Sequence, residues 1–213
     1  VVRMTVQMAL VGVYLEFLFR LNYAWLNLVW VLAMIVIANF TILKRAGLKL
    51  KVFFPYTMTG LVIASLLVGV LFIVYTVRPV PLYDAPYLIP IMGMMIGNGM
   101  RGNILSLERL YSTIRKNEKE FLTYLLMGAT LTEAVVQYMR EAIRPAFAPI
   151  LSTMTTLGLV SLPGMMTGQI LGGASPLVAI KYQIGIMLAI FAAIFISCFI
   201  NVFLTMRVAF DDY

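Results

Sequence analysis

The stretch VFFPYTMTGLVIASLLVGVLFIVYTV, Val52–Val77, decides the fold class. It runs for 26 residues without one charged side chain. A helix of about 20 apolar residues crosses a bilayer, because each residue adds about 1.5 Å and no lipid-exposed backbone group goes unpaired. The rest of the chain repeats the pattern. Tyr23–Leu43 is also uncharged, and from Pro145 to Met206 the only charge is Lys181. Hydrophobic residues make up 62% of the 213, charged ones only 12%, and mean hydropathy is +0.96. That is more apolar surface than one soluble core hides, so lipid is part of the solvent.

The reading is an all-α fold, a polytopic transmembrane helical bundle with six spans, in one membrane domain over residues 1–213. The spans are Met4–Phe19, Tyr23–Leu43, Val52–Val77, Ala85–Met100, a fifth beginning at Pro145, and Tyr182–Met206. Gly172-Gly173-Ala174-Ser175-Pro176 suits a tight turn between the last two. Lys and Arg collect on the cytoplasmic side of short loops. With the first span running outward, 13 of the 16 basic residues fall inside, leaving Arg20, Arg78 and Lys181 outside. The C-terminus is then cytoplasmic, in the cell (inner) membrane, and the +7 charge follows the membrane rather than a nucleic acid. The chain starts Val1-Val2-Arg3 with no initiator Met, so further sequence upstream is expected, and no signal peptide is visible.

The cytoplasmic feature is Arg101–Arg144, which holds five of the nine acidic residues yet keeps an apolar stripe at helical spacing: Leu107, Leu110, Tyr111 and Ile114, then Phe121, Leu122, Leu125 and Leu126. Gly128 ends one helix. Thr130 and Glu133 have the capping-box spacing that starts another, with Pro145 as its expected end. This amphipathic helix-turn-helix serves as a solvated hairpin or, presenting Leu131 and Val135, as a docking element for a cytoplasmic partner.

Two membrane segments share a pattern: Pro90-Ile91-Met92-Gly93-Met94-Met95-Ile96-Gly97-Asn98 and Pro163-Gly164-Met165-Met166-Thr167-Gly168-Gln169. Glycines four apart, Gly93 with Gly97 and Gly164 with Gly168 and Gly172, favour close helix packing. Interrupted helices in matching positions also surround transporter substrate sites, so an internal repeat is the other reading. Gln7, Asn98 and Gln169 need partners at membrane depth and are pathway candidates, with the thioethers of Met94, Met95, Met165 and Met166 as soft donors. The lone Cys198 and the absence of His leave any metal site unassigned. Glu16 is the one carboxylate inside a span and lies four residues from Arg20. There is no Walker A pattern, no nucleophile with a His and no carboxylate pair, so an enzyme is not expected and any ATP chemistry would belong to another chain.

At Ile89–Asn98, and more strongly through Gly158-Leu159-Val160-Ser161-Leu162-Pro163-Gly164-Met165-Met166-Thr167-Gly168 and Ala179-Ile180-Lys181-Tyr182-Gln183-Ile184, the chain resembles the FetB-type ABC permeases. That family takes in iron exporters and plant proteins of aluminium resistance. The resemblance implies a permease subunit that exports iron or another metal ion, working as a homodimer with a separate ABC ATPase that binds ATP and Mg. It also implies a seventh span upstream. It makes Gly128, Ala129, Thr130, Leu131, Glu133, Val135, Arg140 and Arg144 the coupling segment toward that ATPase. An ion-coupled carrier or channel using Glu16, and a structural scaffold in the bilayer, are the competing classes.

Overall fold

A computed structural model describes residues 1–160 and 162–209, with the side chains of residues 131 and 132 outside the description. Among these residues the chain is all helical: α1 Val2–Leu21, α2 Ala24–Ala46, α3 Leu50–Phe72 with a π-helical end Ile73–Val77, α4 Ala85–Lys116, α5 Glu118–Leu126, α6 Leu131–Thr156, α7 Gly164–Leu171 and α8 Pro176–Ala209. Four of them are long and apolar enough to cross a membrane by length and composition: α1, α2, α3 with its π end, and α8. A helix-rich protein with several membrane-crossing elements is what the hydropathy pattern predicts.

The other two long helices are hybrids. α4 begins apolar at Ala85 and runs unbroken into the charged Arg101–Lys116 segment, as its continuous stripe predicts. α6 runs the other way, from the charged elbow at Leu131 into the apolar Ala146–Thr156. Here the structure corrects the expected boundary at Pro145. Pro145 and Pro149 both lie inside one helix of 26 residues. Each proline removes a single backbone donor, whereas Ala142, Ala146 and Ile150 continue a buried stripe against α4 and α8 on either side of them. The fifth membrane segment is correspondingly not one helix. α6 stops at Thr156 and the chain turns through Gly158 (φ +81°). α7, of eight residues, spans only about 12 Å. The turn before α8 is as expected, with Gly173 at φ +93° and the Ala174 amide donating to the Gln169 carbonyl.

α4 and α8 form the centre. α2 and α3 lie on one side and α6 on the other, while α7 sits on the start of α8. Two apolar clusters fill the bundle. One joins Ile35 and Ile42 of α2 to Leu107 and Leu110 of α4 and Val135 of α6; the other joins Phe72 of α3 to Met95 of α4 and Ile186 and Ile190 of α8. α1 stands apart. Its sole buried residue is Leu18, packed on Ala85 and Ile89, with the Tyr14 ring 4.2 Å from Trp30.

Lipid removes the hydrophobic drive for helices to associate, so close approach and hydrogen bonds hold such a bundle together. The glycines that permit the approach are Gly60, Gly69, Gly102 and Gly185. A Cβ at Gly60 would overlap the Asn201 carboxamide, one at Gly69 would overlap the Met92 sulfur, one at Gly102 would stand 2.8 Å from Ile194 and one at Gly185 3.1 Å from Phe72. Gly93 only approaches Met34, at 3.9 Å, and Gly97, Gly164 and Gly168 meet nothing within 4 Å in this chain. Gly172 sits in its own turn, against the Gly168 carbonyl at 3.3 Å. The packing role read into the repeated Gly-x-x-x-Gly pattern is therefore filled, within the chain, by other glycines.

Gly60→Ala should displace the Asn201 side chain and part α3 from α8, lowering stability by about 1–3 kcal/mol. Gly97→Ala, with open space around it inside α4, should not lower stability and should raise it by up to about 1 kcal/mol. Thermal melts of the two purified variants check the contrast.

Candidate functional site

Three features converge on α4, α6 and α8. The first is a ladder of buried polar side chains. Asn103, Ser106, Ser197, Asn201 and Thr205 are all fully buried. On α8, Ser197, Asn201 and Thr205 recur every four residues and so share one helix face. Asn201 Nδ2 donates to Asn103 Oδ1 at 2.7 Å, and Asn103 Nδ2 donates to Ser197 Oγ at 2.9 Å and to the Gly99 carbonyl at 2.8 Å. Thr205 Oγ1 donates to the Asn201 carbonyl, and Tyr111 Oη of α4 reaches the Thr205 carbonyl at 3.0 Å. The ladder ties α4 to α8 over two helical turns. None of its members was singled out as a site residue from sequence, although the four-residue spacing of polar side chains in an apolar run was there to be read.

The second feature is a pair of cavities. A larger one, about 500 Å³, lies where α6 ends and α7 begins; Met154, Met166, Met187 and Gln183 contribute to its wall. Gln183 is buried, and its Oε1 has no hydrogen-bond partner. A smaller cavity of about 240 Å³ lies between α4, α6 and α8 and is lined by Asn98, Arg101, Pro149, Thr153 and Ile190 among others.

The sequence-derived pathway residues divide between these places. Asn98 lines the smaller cavity and Met166 the larger. Met94, Met95 and Met165 pack in the second apolar cluster, Met95 fully buried. Gln169, on α7, has a buried Oε1 without a partner. Gln7 is exposed on α1 and meets neither cavity. Glu16 pairs with Arg20 at 2.7 Å on the exposed side of α1, as their four-residue spacing suggests. Among the described residues no three His, Cys, Asp or Glu side chains come together as a metal-binding group. The two Pro-Gly-Met-Met-like segments differ in role: Pro90 lies inside α4, whereas Pro163 precedes the first residue of α7.

The third feature is the elbow between α5 and α6. Gly128 takes φ +90°, a left-handed value that glycine adopts without strain. Thr130 then caps α6. Its hydroxyl and amide donate to Glu133 Oε2 at 2.7 and 2.8 Å, and the Glu133 amide returns a bond to Thr130 Oγ1. The Thr130 hydroxyl, and next its amide, hold the Glu133 carboxyl below the usual glutamate range. Val135, expected to face a partner, is instead fully buried in the first core cluster. Leu131, named with it, has its side chain outside the described residues. The apolar side chains the elbow does present are Leu126 and Met127, 88% and 80% exposed. Arg140 and Arg144 are exposed one turn apart on α6. Ala129, between Gly128 and the cap, donates its amide to the Tyr124 carbonyl and closes the turn.

Asn103→Leu should leave Asn201 and Ser197 without their partner across the helix pair, and lower stability by about 1–3 kcal/mol; a thermal melt measures this. Thr130→Ala should speed hydrogen exchange of the Glu133 and Ala134 amides at pH 7. Since the folded pKa of Glu133 lies below its unfolded value, the cap's contribution is present above the unfolded value and fades as pH falls through the folded one. The exchange difference between wild type and variant should shrink accordingly in acid.

Comparison with known proteins follows the same outline. The profile of the Uncharacterised protein family (UPF0014) matches residues 1–210. The chain is 37% identical over 188 residues to UPF0014 membrane protein slr1647 of Synechocystis, covering 88% of this chain and 73% of that one. It is 34% identical to the Escherichia coli protein named "Probable iron export permease protein FetB", over 85% of this chain and 69% of that one. It is also 34% identical to Protein ALUMINUM SENSITIVE 3 of Arabidopsis thaliana, over 87% and 66%. No solved structure matches it. With a family profile spanning nearly every residue and a helical, multi-pass architecture to accompany it, the chain belongs to the UPF0014 family of membrane proteins.

Proposed function

We propose that this chain is the membrane-spanning permease subunit of an ABC-type transporter, driven by ATP and Mg bound on a separate ATPase subunit. Two copies of the permease pair with two ATPases. The six membrane segments are α1, α2, α3, the apolar half of α4, α6 with α7, and α8. The α4–α5–α6 extension and the C-terminus face the cytoplasm. The carried species is iron, another metal ion or a small solute, moved outward.

The observation that carries the reading is the elbow. A helix-capped turn exposes Leu126 and Met127, while Phe121, Tyr138 and Val135 behind it are packed into the core with α4. An exposed apolar tip on a rigid mount is what a partner's groove receives. Gly128, Ala129, Thr130 and Glu133 shape the tip; Arg140 and Arg144 lie along the flank of α6 and contribute charge. The relatives' names support a transport role, one of them naming iron export. An ion-coupled carrier built on Glu16 has less to support it, because that carboxylate is 66% exposed and paired with Arg20.

Tagged full-length permease should co-purify with an ABC ATPase and stimulate its ATP hydrolysis. Leu126→Glu combined with Met127→Glu should cut ATPase capture at least tenfold while the permease still reaches the membrane. Capture of no ATPase by the wild type would sink the proposal, and unchanged capture by the double variant would remove the elbow from it.

A further inference from the structure

The smaller cavity has an unusual lining. α4 and α8 are the two longest helices, of 32 and 34 residues, and both pass it near their midpoints. α6 walls its third side with Ala146, Ile150 and Pro149. Most of this wall is apolar, yet Arg101 lines it, and among the described residues no carboxylate pairs with that guanidinium. Arg101 is exposed, at the end of the apolar half of α4, so its charge is open to an incoming anion.

The other polar groups are donors or already committed. Asn98 Nδ2 spends one N–H on the Met94 carbonyl at 2.8 Å and keeps its second. Thr153 gives its hydroxyl to the Pro149 carbonyl at 2.9 Å. No acidic side chain, imidazole or thiol lines the space. A bare divalent cation entering here would meet a like charge and no anionic ligand, only neutral groups such as Asn98 Oδ1 and the Met187 thioether. A carboxylate or phosphate would meet a guanidinium fork, whose five N–H donors match planar oxyanions two at a time, plus one amide N–H.

We infer that the cavity between α4, α6 and α8 is an oxyanion-binding site centred on Arg101 and Asn98, and that the carried species is anionic: a small carboxylate or phosphate, or a metal ion enclosed in an anionic chelator. The second clause rests on the transport reading; the first does not. A metal therefore enters this site with its ligands, not stripped of them.

The full chain in phosphatidylcholine nanodiscs is titrated calorimetrically with citrate, ferric citrate, inorganic phosphate and, anaerobically, ferrous iron alone. At least one of the anions should bind saturably and ferrous iron alone should not. Arg101→Gln should weaken anion binding at least tenfold and Arg101→Lys by less, because lysine keeps the charge but not the fork. The Gln variant should melt at the wild-type temperature without ligand, since Arg101 is exposed. The site assignment is overturned if no anion binds, if Arg101→Gln binds as the wild type does, or if ferrous iron alone binds and the variant binds it tighter. Displacement of bound citrate by phosphatidylglycerol added to the nanodiscs would make the cavity a lipid seat and overturn it as a cargo site. ATPase capture is measured on the same preparations, so failure of anion binding with capture intact refutes the cargo alone. Anion binding without capture refutes the ATPase partnership alone.

Discussion

The bridge from Asn201 to Asn103 is the contact on which the arrangement of the other helices depends. In water, burial of apolar side chains would drive α4 onto α8, but in a bilayer lipid solvates those side chains as well as protein does. A carboxamide facing lipid has no substitute for its partner. Asn103 and Asn201 therefore specify which faces of the two longest helices meet, and at what register. Gly60 of α3 lies against Asn201 and Gly102 of α4 against Ile194 and Cys198, so the nearest neighbours are set by the same junction. α2 and α6 then dock on the sides of α4 that this pairing leaves available.

That junction also determines where empty space remains. α6 lies against α4 and α8 beside the ladder, and its buried stripe is made of small or β-branched residues, Ala142, Ala146 and Ile150. Prolines at 145 and 149 deny α6 two backbone donors in the same stretch. The wall nearest Arg101 therefore lacks two backbone hydrogen bonds of a regular helix, while the ladder beside it ties α4 to α8 by side-chain bonds.

How far the sequence discloses this depends on the residue. Long apolar runs locate α1, α2, α3 and α8 because length and hydropathy are properties of a single helix. The capping box and the Gly172–Pro176 turn were legible for the same reason, since each is complete within a few residues. Pro145 misled because proline's effect on a helix is local, whereas the buried stripe that carries α6 through it depends on α4 and α8, far away in the chain. Val135 misled similarly: an apolar stripe shows that a face is covered, not by what. Gly97, Gly164 and Gly168 have the spacing of packing glycines, yet Gly60 and Gly102 do the packing, because what stands opposite is fixed only by the fold. Of the site, Asn98 was recognised. Arg101 reads as a cytoplasmic charge on a helix that continues past it, and the cavity beside it appears only once α6 and α8 are placed around α4.

α6 links places that the sequence presents as separate. It is one helix from the capped elbow at Thr130 to the cavity wall at Ala146 and Pro149, and the 15 residues from Leu131 to Ala146 span about 22 Å. Mechanically this is a strut whose near end is set in an exposed turn and whose far end is its most compliant part. A push on the elbow is borne along the stiff, fully hydrogen-bonded stretch and released as bending at the two prolines. One helix thus ties the exposed turn to the wall beside the guanidinium, so a displacement at either end is felt at the other.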